Sequence, residues 1–179
     1  MKFSNFKFSL DDDYFNRSER HLSFGDVKER IIKFIKRDPV ASYKLAIGTD
    51  SQVKGGYTVF ASAIVVHRVK KGAWGCIKKN ILDREVMNLR EKISIETNLT
   101  LQLASKFTPD FFDEITEIIL PYVDKGANFS HEVHIDIGKK GETKRFTKEM
   151  VGYFAGLDFE AKIKPESYAA TSYANKYTK

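Results

Sequence analysis

One cysteine, Cys76, is all the sequence holds. An internal disulfide is therefore excluded, and structural zinc sites draw on several Cys or His ligands. No apolar run approaches the ~20 residues of a membrane span. The longest, around Ala61 to Val66, is strand-sized and ends in His67 and Arg68. The N-terminus, MKFSNFKFSLDDD, has no apolar core segment and soon turns acidic, so no secretory signal is expected. A reducing cytoplasm is the expected location, with no membrane partner. Repeats, low-complexity tracts and long Gly/Ser/Pro linkers are missing as well. There is no G-x-S-x-G nucleophile elbow. Gly138 to Gly141 lacks the spacing and terminal Lys-Ser/Thr of a phosphate-binding loop. Asp11 to Asp13 lack the later Gly and Glu of a calcium loop. Cys76 falls in a predicted strand without an obvious His partner and reads as structural.

What is present suits one folded domain. The 179 residues are 42% hydrophobic, enough for a core and against global disorder. Residues 21–179 read as the domain and residues 1–20 as an N-terminal extension. Thirty Lys and Arg against 24 Asp and Glu give a net charge of +6. A basic surface suits polyanions, because each contacted phosphate releases condensed counterions.

Hydrophobic periodicity orders the elements. Phe6, Phe8 and Leu10 alternate like a short strand. Ser23 and Asp26 form a capping box, Leu22 can staple onto Val27, and Val27, Ile31, Phe34 and Ile35 form one helical stripe that Asp38-Pro39 ends. Strands are predicted over 43–50, 57–69 and 73–82, joined at Gly55-Gly56 and Lys70-Lys71-Gly72. Helical periodicity then runs from Val86 to Phe107, and Pro109 opens a second helix to about Tyr122. A strand over 132–137, a helix over 143–154, a strand over 159–164 and a short helix after Pro165 complete the order. An antiparallel meander followed by alternating helices and strands implies an α/β fold with a mixed five-stranded sheet, its later strands parallel.

Three acids break the pattern. Asp50 ends an apolar strand, where a turn residue would also be at home. Asp136, in His-Ile-Asp-Ile-Gly, shares a face with Glu132 and His134 on an interior strand, so it needs a cation or a nearby lysine. On a helical wheel at ~100° per residue from Glu91, Leu103, Leu89 and Ile93 span ~120° to ~200°, and Glu96 falls at ~140° among them. A Glu at the centre of an apolar stripe points to function or to a buried ion pair. The topology makes the Asp50 and Asp136 strands neighbours. The long helix is expected to cross the Asp50 face, where Ala46 and Gly48 would let it approach. Three such carboxylates raise one another's pKa unless a cation neutralises them, and all-oxygen ligands favour Mg²⁺ or Mn²⁺.

The segments GTDSQ, EKISIETNLT, HIDIG and KPESYAATSYANKYTK, in this order, resemble the uncharacterised bacterial YkuK-like family of the ribonuclease H-like superfamily. The resemblance runs from about residue 20 to the C-terminus. It implies a ribonuclease H-like fold and a metal-dependent nuclease acting on RNA, DNA or a hybrid. The superfamily's acids on the first strand, the following helix and the fourth strand map onto Asp50, Glu96 and Asp136. A fourth acid or His usually comes from the last helix. Here that helix offers Asn175 as a neutral ligand, with Glu166 at its start and Asp158 before it. Candidate nucleic-acid contacts are Ser51, Gln52, Lys139, Lys140, Lys144 and Arg145, and Trp74, Tyr168, Tyr173 and Tyr177 could stack on bases. His134 could orient Asp136 or be a satisfied core histidine. The alternative to a nuclease is a non-catalytic nucleic-acid-binding module of the same fold. A two-domain nucleotide clasp would need a second such domain.

Overall fold

The computed structural model describes residues 6–7, 13–137, 146–154, 156–157 and 159–178. A twisted sheet forms its centre, with strand order β1-β4-β3-β2-β5-β6. Strands β2 (Ser42–Lys54), β3 (Tyr57–Arg68) and β4 (Gly72–Leu82) are an antiparallel meander. Gly56 (φ 87°) turns the first hairpin in the left-handed region, where a side chain would be strained. Strand β5 (Asn128–Ile135) lies parallel to β2, and β6 (Glu160–Ile163) parallel to β5. The five expected strands are thus joined by a short sixth, β1 (Phe6–Lys7), paired antiparallel to Ile81 and Leu82 at the end of β4.

Helix α1 (Phe24–Lys36) starts as the sequence predicts: Ser23 caps it, its hydroxyl accepting from the Asp26 amide while the Asp26 carboxylate accepts from the Ser23 amide. Val27, Ile31 and Ile35 are fully buried beneath it. Helix α2 (Leu89–Ala104) begins three residues later than expected. The Val86 amide donates to Thr58 Oγ1 at 2.9 Å, which ties residue 86 to β3 and leaves Asn88 to cap the helix. Helix α3 (Pro109–Ile119) runs into a 3₁₀ turn (Leu120–Lys125), and α4 (Thr147–Gly152) precedes β6. The chain closes with a π-helical segment (Ala169–Ala174) and α5 (Asn175–Thr178). Among the described residues no helix is long and apolar enough to cross a membrane.

The two sheet faces are covered differently. Leu45, Ile47, Ile64, Val66 and Cys76 meet the apolar sides of α1, α2 and α3 in the main core. The opposite face carries Ala46, Ala61 and Ala63, and against these small residues pack Ala169 and Ala174 of the C-terminal segment. This corrects one expectation. The element that approaches closely over Ala46 and Gly48 is the C-terminal segment, and α2 lies on the other face.

The segment read as an N-terminal extension is partly built in. Tyr14 is fully buried, exchanges backbone hydrogen bonds with Leu22, and stacks at a tilt on Phe24. Phe15 pairs with Ile77 on the edge of β4. Tyr14→Ala is therefore expected to cost about 3 kcal/mol of stability, read as a lower urea midpoint. An unchanged midpoint would mean that the segment is dispensable to the fold.

Candidate active site

Parallel pairing of β2 with β5 stops at Gly48 and His134, whereas β2 continues against β3 as far as Lys54. Contrary to expectation, Asp50 therefore does not end its strand. It sits in mid-strand, at the point where one neighbour has fallen away. Asp136 follows the last residue of β5 and flanks the same opening. Strand alternation puts Asp50 on the thin, C-terminal face of the sheet and Ser51 on the α2 face.

Glu96 reaches this opening from α2. A run of hydroxyls fixes the helix over β2: Thr100 Oγ1 lies 3.0 Å from Thr49 Oγ1, which lies 2.9 Å from Ser62 Oγ on β3. One turn earlier on the same helix, Glu96 accepts a 2.6 Å hydrogen bond from the Ser51 hydroxyl. Glu96 is 7% exposed. Burial pushes its carboxyl up to about 8, and the charges of Asp50 and Asp136 push the same way, against the Ser51 hydroxyl and Lys92. Asp50 is also raised, first by burial and then by Asp136; Lys92, the Thr178 hydroxyl and the Ser51 amide oppose the rise. The three acids are thus electrostatically coupled around one strand edge, two from the thin face and one from the thick.

Asp136 has a lysine beside it. Lys164 Nζ stands 2.8 Å from Oδ1, yet among the described residues this buried oxygen receives no hydrogen bond, so the contact is an ion pair with poor angles. As the side chains stand, no three His, Cys, Asp or Glu among the described residues are close enough to hold a metal ion. The donor set itself suits a hard cation: it is all oxygen, Asp136 Oδ1 lacks a donor, and Glu96 ionises only against burial and its neighbours.

The remaining candidates fall out unevenly. Ser51 is buried and engaged with Glu96, so it is a carboxylate partner and not a surface contact to nucleic acid. Gln52 is half-buried and accepts from Lys54 Nζ at 3.0 Å. From the last helix it is Thr178 that touches Asp50, its hydroxyl 3.2 Å from Oδ2 and 3.2 Å from the Asn175 carbonyl. Lys139, Lys140, Lys144, Arg145 and Asp158 lie outside the described residues, and Glu166 is exposed. His134 is a satisfied core histidine. Its Nδ1 accepts from the Ala169 amide at 2.8 Å, which leaves the proton on Nε2 to donate to buried Glu132 at 2.6 Å. Burial alone would raise Glu132, but His134 and Lys44 together hold it below its ordinary value. This link ties the C-terminal segment to β5 and so helps set Thr178 over Asp50.

Sequence reasoning missed Ser51 as a partner of Glu96, Thr178 and Lys92; it expected a cation or a nearby lysine at Asp136, and Lys164 is that lysine. Only Lys92, one helical turn before Glu96, had a signal in the spacing.

A mixed sheet of this order, acids at a strand opening, and helices on both faces define a ribonuclease H-like protein. A family model described as Ribonuclease H-like matches residues 26–179, and the chain belongs to that family. It is 48% identical over 166 residues to the Uncharacterized protein YkuK of Bacillus subtilis (strain 168), covering 93% of this chain and 96% of that one. No solved structure matches the chain.

The Glu96 carboxyl gives a pH signature. With a value of about 8 in the fold and 4.5 in the unfolded chain, the folded state keeps a proton that the unfolded state has lost across that interval. Stability therefore falls as pH rises from 4.5 to 8. In metal-free protein Glu96→Gln is expected to raise the thermal midpoint near pH ~9 and to leave it unchanged near pH ~4, followed by circular dichroism. Equal destabilisation at both ends would show that Glu96 is not held neutral.

Proposed function

We propose that the protein is a divalent-metal-dependent nuclease that hydrolyses phosphodiester bonds of RNA or DNA. The observation that carries this reading is a Glu buried in a helix's apolar face and electrostatically coupled to two strand carboxylates at one opening of the sheet. An ion pair kept only for stability would not call for three coupled acids and one neutral buried carboxyl.

In this reading Asp50 and Asp136 would hold one Mg²⁺ or Mn²⁺, and Glu96 in its ionised form would help to hold a second. Bound there, such ions would supply water activation and stabilisation of the leaving oxygen. Ser51 orients Glu96, and Thr178 orients Asp50 from the C-terminal helix. Lys164, which stands beside Asp136, would be placed to meet a phosphate oxygen. The family's general dependence on divalent metal supports the assignment.

A second reading, a nucleic-acid-binding module without chemistry, is favoured by two observations: Lys164 already pairs with Asp136, and no acid comes from the last helix among the described residues. Labelled single strands, duplexes, hybrids and junctions incubated with Mg²⁺, Mn²⁺ or EDTA separate the two. The nuclease reading expects cleavage only with metal, reduced about 10²-fold or more by Asp136→Asn or Glu96→Gln. Ser51→Ala, which removes only an orienting hydroxyl, should cost about tenfold. Salt-sensitive binding that survives Asp50→Asn, with no cleavage under any metal, would establish the module.

A further inference from the structure

A groove of about 690 Å³ opens on the β4 edge, away from the three acids. Its floor is Ala73, Trp74 and Gly75; one wall is the end of α1, the other the C-terminal helix, and the turn at 16–19 forms the rim. Among the described residues, five cations line it against a single carboxylate, Glu19. Two of them are engaged: Arg30 donates to Glu19 at 2.7 Å, and Lys33 stands 2.6 Å from Glu29. Arg17, Arg37 and Lys176 are exposed and have no acidic partner among the described residues.

Aromatic rings sit between these charges. Trp74 on the floor and Tyr173 and Tyr177 on the wall are all half-buried, with the two tyrosine rings 5.7 Å apart and tilted at 44°. The absence of a side chain at Gly75 makes room for Tyr173, since a Cβ there would meet its ring at 3.0 Å. The strand edge is also open at this point. Ile77 turns its N–H and C=O outward to Phe15, so alternation turns those of Gly75 and Ala73 to the same side, where no strand pairs with them among the described residues.

From these observations we infer that the groove is a binding site for single-stranded nucleic acid, with phosphates on Arg17, Arg37 and Lys176 and bases against Trp74 and the two tyrosines. Unpaired cations would supply counterion release, and exposed rings would supply stacking that duplex bases cannot offer. An acidic peptide would use the charges and the strand edge but would gain nothing from three flanking rings. The site does not depend on hydrolysis at the carboxylates. It shares the C-terminal helix with them, through Tyr177 on one side and Thr178 on the other.

Trp74 is the sole tryptophan, so its fluorescence reports on the groove alone. Short oligo(dT) added to the full chain in EDTA is expected to quench it, with an affinity that falls as salt rises. The double variant Arg17→Glu, Arg37→Glu should bind at least about tenfold more weakly, with a salt slope flatter by about 1 per lost phosphate contact. Both residues are exposed, and an unchanged far-ultraviolet spectrum verifies folding. Quenching should persist in Glu96→Gln, which separates this site from the proposed hydrolysis. No quenching, quenching retained at full affinity by the double variant, or equal quenching by duplex DNA or polyglutamate would each overturn the inference.

Discussion

The hydrogen bond from Ser51 to Glu96 joins α2 to the one strand that runs past its parallel neighbour. An ionised carboxylate in that position, next to two other acids, would be costly, so the group keeps a proton unless a cation compensates its charge. Its setting is fixed by the hydroxyls of Thr100, Thr49 and Ser62, which lock the helix crossing one turn away. Those hydroxyls are buried and satisfied by each other, so the helix cannot slide along β2 without leaving polar groups unpaired.

The sheet brings carboxylates together from both of its faces. On the α2 side, the helix crosses β2 through the Thr100 and Thr49 hydroxyls, and Glu96 meets the strand at Ser51. On the thin side, alanines allow the C-terminal segment to lie close, and Thr178 reaches Asp50 from there. The link from Lys44 through Glu132 and His134 to the Ala169 amide binds that segment to β5. Two unrelated packing solutions therefore converge on one opening. The same C-terminal helix also forms a wall of the basic aromatic groove, so the sheet opening and the β4 edge share one ten-residue segment, 169–178.

Much of this is legible in the sequence. The capping box at Ser23, the glycine turn at 55–56 and the switch from meander to alternating elements follow from local chemistry, which a short stretch of chain carries in itself. Glu96 stood out because a helical wheel exposes a charge on an apolar arc. The face that α2 covers was not legible: Ala46 and Gly48 invite close packing, but nothing in their neighbourhood says which helix accepts the invitation. Ser51 looked like a surface residue for the same reason, since the alternation of β2 assigns it a face without saying what covers that face.

The sequence by itself determined the order of elements, the apolar helical face that carries Glu96 and the basic balance of the chain, because periodicity, capping and turn preferences act over a few residues. Tertiary structure alone decided that β2 outruns β5, that Ser51 and Thr178 serve the carboxylates, that Lys164 sits on Asp136, and that Arg17, Arg37 and Lys176 surround Trp74. Those outcomes depend on contacts between residues tens of positions apart, where register, helix placement and competing partners are settled only when the whole core closes.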